Sequence, residues 1–428
     1  MSAAPARRSA TLRVLSGDAW RWAMYDWANS AFALIVMTSF VPLLLREHWS
    51  AGETSVEITF IWGSANSIAA LLLALGAPLL GALADQGGRL RGMLAVCVVP
   101  GAICTVLLAL PGAGQWTTGL SLFVLAWLGY SAANVFYDAL LTEVADPKEY
   151  DLVSAYGFAL GYIGSAMLFT LCALVTVDPA RFGLDSQVQA MQLSMLVVGA
   201  WWVLFSIPLL RRGRRAKGAG RPARLGAAWR QLASTLREAR RYPQLWLFLL
   251  AYFLYIDGVY TIIKMAVDFG AAINLPPSDL VFAILVTNYL GFPATLAFGF
   301  AGRRFGPRRC IYVALAVYCL VTFLASMASQ VWHFYLLAAM IGLAQGGVQS
   351  LSRSMFARLA PPGKSTEMFG FYNMFGRFAA ILGPILTGYA ALVLDSQRLG
   401  VLAILVLLVA GFILLTRVKE TQGPAYRP

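Results

Sequence analysis

Apolar residues run along this chain in long, unbroken stretches, separated by short polar segments. Such runs predict helices over 20–45, 57–84, 92–110, 116–137, 153–177 and 190–210, then 244–267, 279–302, 309–328, 332–354, 368–394 and 399–416. A stretch such as GVLAILVLLVAGFILL, residues 400–415, has no polar face to turn toward water. It reads as a segment surrounded by lipid or protein rather than as a soluble amphipathic helix. About 20 apolar residues are needed to cross a bilayer helically, so the pattern predicts about twelve crossings. Those crossings use most of the 428 residues and leave no room for a large soluble domain.

Polar residues within the apolar runs recur every third helix. Predicted helices 3, 6, 9 and 12 are almost bare, whereas 1, 4, 7 and 10 carry Asp26, Asn29, Asn134, Asp257, Lys264, Gln345 and Gln349. A charged side chain at mid-membrane costs about 2.5–3.5 kcal/mol on insertion scales. The polar-bearing helices are therefore expected to face a shared interior cavity and the bare ones lipid.

Two segment pairs repeat at nearly one spacing. GALADQGGRLRG (81–92) matches GFAGRRFGPRRC (299–310), with Gly81 and Gly299 opening each copy. ADPKEYDLVSAYGFALGY (145–162) matches APPGKSTEMFGFYNMFGR (360–377), pairing Pro147 with Pro362 and Gly161 with Gly376. Two independent matches predict a duplicated six-helix unit. The expected fold is an all-α membrane protein of twelve helices in two pseudo-symmetric six-helix bundles. The expected divisions are an N-terminal tail (1–19), a first bundle (20–210), a basic linker (211–243), a second bundle (244–416) and a C-terminal tail (417–428).

Composition adds orientation. Only 12% of residues are charged, mean hydropathy is +0.69 and the net charge is +13. Of the 33 Lys and Arg, Arg46, Arg181 and Arg398 fall on one side's loops, Arg21, Lys264 and Arg377 fall within predicted helices, and the other 27, counting Arg309 and Arg353 at the ends of theirs, fall on the opposite side. Basic loops face the cytoplasm, so both termini are expected there, in a plasma or bacterial inner membrane. Residues 211–243 hold eleven Lys/Arg and one Glu, which predicts a linker lying on anionic headgroups rather than one that binds nucleic acid. The N-terminus has no apolar core before Trp20 and does not read as a cleaved signal peptide. The five cysteines sit inside apolar runs without zinc-ligand spacing, and neither a metal nor any other cofactor is expected. No phosphate-cradling Gly/Lys loop and no triad-like grouping is present in the sequence, so the chain is not expected to be an enzyme.

The stretch 81–89 resembles the loop signature G-x-x-x-D-R-x-G-R between helices 2 and 3 of the major facilitator superfamily. Gly81, Asp85, Gly88 and Arg89 match, Gln86 replaces the first Arg, and the second copy keeps Gly299, Arg304 and Gly306 but has Arg303 in place of Asp. The stretches YDWANSAF (25–32), FLYIDGVYTII (253–263), GLAQGGVQSLSRSMFARLAP (342–361) and FGFYNMFGRFAAILGP (369–384) resemble the vacuolar effluxer-like, autophagy-related branch of that superfamily. The resemblance spans about Trp22 to Thr416. It implies a secondary transporter working by alternating access and exporting small amino-acid-like solutes.

Candidate chemistry follows. Asp257, Thr261, Lys264 and Asp268 share one helix face at i, i+4, i+7 and i+11 and read as a charged cavity wall. Arg377 lies about 14 Å along its helix, one turn beyond Asn373, and is suited to gripping a carboxylate through two parallel bonds; its alternative is a salt bridge to Asp26 or Asp138. Asp26 with Asn29, and Asn134, are cavity candidates, and Arg21 is a candidate partner for Asp26. Gln345 and Gln349 can bond a polar solute in either direction. Asp257 or Asp26 can carry a coupling proton. Asp85, Gly88, Arg89, Arg91, Asp138 and Arg304 are expected to gate the cytoplasmic side. A small-molecule substrate, with protons as the candidate coupling ion, is the leading reading. A multidrug or siderophore exporter, or a non-transporting receptor or scaffold acting through the basic linker, are the alternatives.

Overall fold

The structure, a computed structural model, describes residues 15–87, 90–211, 225–237, 242–272, 276–328, 330–361, 363–379, 382–393, 395 and 400–419. Apolar runs of this length leave a chain no economical choice but helix, because only intra-helical bonds satisfy the backbone away from water. Twelve apolar helices are present among the described residues. They are α1 (Gly17–Trp49), α2 (Ser55–Gly87), α3 (Leu90–Leu107), α4 (Trp116–Val144), α5 (Tyr150–Val177) and α6 (Gln187–Arg211). The second set is α7 (Pro243–Ala272), α8 (Pro277–Phe305), α9 (Pro307–Met327), α10 (Val331–Leu359), α11 in two pieces (Ser365–Phe378 and Leu382–Val393) and α12 (Ile404–Arg417). Among the described residues, eleven spans are long and apolar enough to cross a membrane, and the last helix is shorter. The segment joining the two sets contains a linker helix, Leu225–Arg237.

The break in α11 follows Phe378, where Ala379 turns to an extended conformation, and it suits the proline that follows. Proline has no N–H to continue an α-helical ladder, and its ring clashes with the carbonyl four residues earlier. Pro384 sits third in the second piece, where neither defect matters. α1 is continuous but is wound as a π-helix over Phe32–Phe40 and Leu45–Trp49. Thr38 and Ser39 hydroxyls there donate 2.8 Å bonds to carbonyls five residues back.

The bare helices present apolar side chains outward. Val96, Val99 and Ile103 on α3, Val203 and Leu204 on α6, Val313 and Phe323 on α9, and Val406 and Ile413 on α12 are all exposed apolar residues. Between the two halves, α5 packs on α8 and α10, and α11 packs on α2 and α4. The repeated glycines sit at these seams. A Cβ on Gly81 of α2 would collide with the Thr366 carbonyl of α11, and one on Gly299 of α8 would collide with the Cβ of Ala155 on α5. Equivalent glycines therefore allow equivalent helix crossings on the two sides of the molecule.

Candidate functional site

α4 and α10 run past their predicted ends, to Val144 and Leu359 rather than 137 and 354. The turns added to α4 carry Asp138 and those added to α10 carry Arg358, charges that hydropathy assigns to loops, and Arg353 lies one residue inside the predicted end. Six residues before the end of α4 is Asp138, and six before the end of α10 is Arg353, each roughly 9 Å inside its helix. They meet at the end of the bundle where the linker helix lies, here called the linker end.

Arg353 is 2% exposed, and its fork joins the two halves. Nη1 donates to Asp138 Oδ1 at 3.1 Å, and Nη2 to Asp26 Oδ2 on α1 at 3.3 Å. Nε donates to the Ser154 hydroxyl of α5 at 2.9 Å, and Nη2 also to the Ser154 carbonyl at 3.0 Å. The guanidinium lies 4.2 Å from the ring centre of Phe158, 4.6 Å from that of Trp22 and 5.2 Å from that of Tyr137. A cation this deep is supported by both charge and ring faces. The Tyr137 hydroxyl donates to Asp26 Oδ2 at 2.8 Å, and the Asn373 amide of α11 to Asp138 Oδ2 at 3.0 Å. Gly157 lets α5 close over this cluster: a Cβ there would sit 2.7 Å from Asp26 Oδ2.

A second tie lies nearer the linker end. Arg358 grips Asp151 of α5 through two 2.7 Å bonds, and the Ser354 hydroxyl donates to the same carboxylate at 2.5 Å. A third joins α2 to the start of α11, where Asp85 accepts from the backbone N–H groups of Thr366 at 3.2 Å and Glu367 at 2.9 Å. A carboxylate there satisfies orphan donors and complements the helix dipole. The linker helix braces this point, with Gln231 donating to Glu367 at 2.8 Å.

Deeper in the bundle the polar residues change character. Ser30, Tyr130, Asn134, Tyr162, Tyr260, Gln345, Gln349 and Arg377 are all half-buried. Asn29 donates to Asn134 at 2.8 Å, and the Tyr162 hydroxyl donates across the halves to Gln349 at 2.7 Å. Gln345 lies beside the same hydroxyl. Arg377 stands 5.7 Å from the ring centre of Tyr130, with Tyr260 nearby. The result is a ring of amides, phenols and one guanidinium contributed by both halves, with the Arg353 tie as its floor. Removing the Tyr162 hydroxyl takes away one inter-helix bond worth about 0.6 kcal/mol. Tyr162→Phe should therefore leave the thermal unfolding of the purified protein nearly unchanged.

The sequence-predicted residues divide accordingly. Asn29, Asn134, Gln345, Gln349 and Arg377 come together around the ring, while Asp26, Asp138 and Asn373 come together in the floor. Arg377 does not reach Asp26 or Asp138, because Arg353 occupies both. Nor does Arg21 pair with Asp26; it bonds Asp18 one turn back at 2.7 Å. Asp257 and Thr261 are placed elsewhere than on a cavity wall. Asp257 is fully buried and accepts from the backbone N–H groups of Leu382 at 3.0 Å and Gly383 at 2.9 Å and from the Thr261 hydroxyl at 3.3 Å. It caps the second piece of α11. Arg304 is exposed over the ring of Phe305 at 5.3 Å, because Gly299 and Gly302 turn the opposite face of α8 toward α5. Arg91 neighbours Glu143 of its own half and does not bridge the halves. Gly88, Arg89 and the side chain of Lys264 lie outside the described residues.

Sequence reasoning missed Arg353, Ser154, Asp151 and Arg358. The signal for the first was available, since Asp138 and Arg353 are 215 residues apart, the same offset as Pro147 and Pro362. Asn134 and Gln349 are a further pair at that offset.

Comparison with known proteins agrees with the fold. A family model described as vacuole effluxer Atg22 like matches residues 17–425. An MFS-type transporter of Bacillus subtilis, YxiO, is 36% identical over 402 residues, covering 93% of this chain and 94% of its own length. Autophagy-related protein 22-1 of Penicillium rubens is 28% identical over 264 residues, covering 55% of this chain and 43% of that protein. Among solved structures, the human organic anion transporter MFSD10 superimposes with a TM-score of 0.72 at 16% identity, over 95% of this chain and 100% of that one. The proton:xylose symporter XylE gives 0.71 at 13% identity, over 95% of each chain. The chain is a multi-pass membrane protein and belongs to the Atg22-like vacuole effluxer family of major facilitator transporters.

Proposed function

We propose that this chain is a secondary transporter that exports a small polar solute of amino-acid type by alternating access. The observation that carries the reading is the Arg353 tie, which closes the linker end directly beneath a ring of half-exposed polar groups drawn from both halves. Alternating access needs such a closure to form at one end and to break when that end opens. In the ring, the planar fork of Arg377 suits a carboxylate. The amides of Asn134, Gln345 and Gln349 can accept from an ammonium or donate to an oxygen. No step in this cycle makes or breaks a covalent bond, so the activity is transport rather than catalysis.

In this reading the linker end faces the cytoplasm of a plasma or bacterial inner membrane, in keeping with the concentration of Lys and Arg there. The bundles span 20–210 and 244–416, and 211–243 lies on anionic headgroups with tails 1–19 and 417–428 on the same side. The linker helix supports that placement, since Ala228 and Thr235 pack inward while Trp229 and Arg230 face out.

The test is counterflow in proteoliposomes with a panel of radiolabelled amino acids and dipeptides. At least one member should exchange against its unlabelled form. A hydrogen bond to a charged group contributes about 1.5–3 kcal/mol, so Arg377→Gln should weaken the apparent affinity for that member by about 10- to 100-fold. A folded protein that exchanges nothing in the panel, or an Arg377→Gln variant with unaltered affinity, would overturn the reading. Exchange of many structurally unrelated solutes would point instead to a multidrug carrier.

A further inference from the structure

We propose that the tie at the linker end is itself a proton site, in which the carboxylates of Asp26 and Asp138 share one proton while Arg353 holds both, and lose it when that end opens to water. The inference rests on the carrier reading above, because release requires the tie to open.

The argument is a charge count. Two carboxylates and one guanidinium meet in a cluster whose members are at most 8% exposed. With both acids ionised the cluster carries a net negative charge. The groups facing it from each packed element do not cancel that charge. α1 adds Trp22, α4 the Tyr130 and Tyr137 phenols, α5 Ser154, the ring of Phe158 and the Tyr162 phenol, α7 the Tyr260 phenol, and α11 the Asn373 amide and the Tyr372 phenol. All are neutral. The other described cation nearby, Arg377, is turned to Tyr130. An uncompensated buried charge is expensive, and one proton removes it.

The neighbouring tie shows what balance looks like in the same protein. Arg358 and Asp151 pair one to one, through two parallel bonds of 2.7 Å. Arg353 spreads its fork over two acids with single bonds of 3.1 and 3.3 Å. Ion pairs of full strength are commonly 2.7–2.9 Å, so the longer pair of contacts fits a cluster in which one acid is neutral. Because the acids interact through one guanidinium, the proton belongs to the pair rather than to either residue.

The consequence for transport has a sign. The closed, dry tie binds the proton, and the opened, hydrated carboxylates release it. By linkage, acidification favours closure of the linker end. A proton taken up while this end is shut and released through it when it opens moves toward the linker side. A solute loaded from the linker side moves the other way, which is antiport.

Infrared titration of the full-length protein in lipid bilayers reads the site directly through the carbonyl band of a protonated carboxyl. The band should be present in the wild type at neutral pH. It should be lost in Asp26→Asn and in Asp138→Asn alike, since each leaves one acid for one guanidinium, and it should return in Asp26→Glu. Melting curves of the same samples identify any variant that has not folded, and the wild-type band is decisive without them. Absence of that band from the wild type, or its persistence in both Asn variants, would overturn the proposal. Counterflow is measured on the same vesicles. Exchange without the band removes the proton site and leaves the carrier standing; the band without exchange removes the carrier and the release step with it.

Discussion

Arg353→Ala is expected to abolish transport and to destabilise the protein by about 3–5 kcal/mol, the usual effect of leaving buried charges without their partner. Two carboxylates, a serine hydroxyl and a backbone carbonyl lose a donor at once. Arg353→Lys should fail nearly as badly. A single ammonium cannot reach Asp26, Asp138 and Ser154 together, and it loses the planar stack on Phe158. Thermal unfolding in detergent and flux in proteoliposomes measure the two effects separately. Because Asp138 and Arg353 occupy equivalent positions in the two halves, the exchange Asp138→Arg with Arg353→Asp should recover part of the loss. A double-mutant cycle reads that recovery as a coupling energy. An Arg353→Ala protein that melts and transports like the wild type would show that the tie has no role in holding the linker end shut.

The fold was largely legible in the sequence, and the candidate site only in part. Hydropathy finds helices because apolar length is what a membrane demands, and the spacing of Gly81 and Gly299 reveals the duplication because close crossings tolerate only a small residue. Hydropathy then misplaces the ends of α4 and α10, since it ends a helix where charges begin. Those charges continue the helix because they pair across the halves, a fact of tertiary structure that a window of one segment does not contain. Arg353, one residue inside the predicted end of its helix, is grouped with the basic residues of that side, although its offset from Asp138 marks it as one member of a symmetric pair. Arg377 was legible because it stands well inside the apolar run 368–394, although the first piece of α11 ends one residue later, at Phe378. Asp257 was legible as a buried acid but not in its role, because the break it caps lies in another helix, 125 residues away.

That break supplies the other large effect. Asp257→Ala should cost about 3 kcal/mol, since the carboxylate accepts two backbone N–H bonds and hydrogen bonds to a charged group contribute about 1.5–3 kcal/mol each, less whatever water recovers. The side chain stands where an N-cap would and opposes the positive end of the Leu382–Val393 helix. Gly383 shows how close the fit is: a Cβ there would lie 2.9 Å from Asp257 Oδ1, and nearer still to the Thr261 hydroxyl. Asp257→Asn keeps one acceptor oxygen and the shape, so it should fall between the wild type and Asp257→Ala in melting temperature while retaining most of the flux. The two variants together separate a cap from a cavity-wall or coupling acid. A cap predicts that flux falls in step with stability. If Asp257→Asn melts like the wild type yet transports nothing, Asp257 acts on substrate or proton, and the assignment of coupling to Asp26 and Asp138 gives way to it.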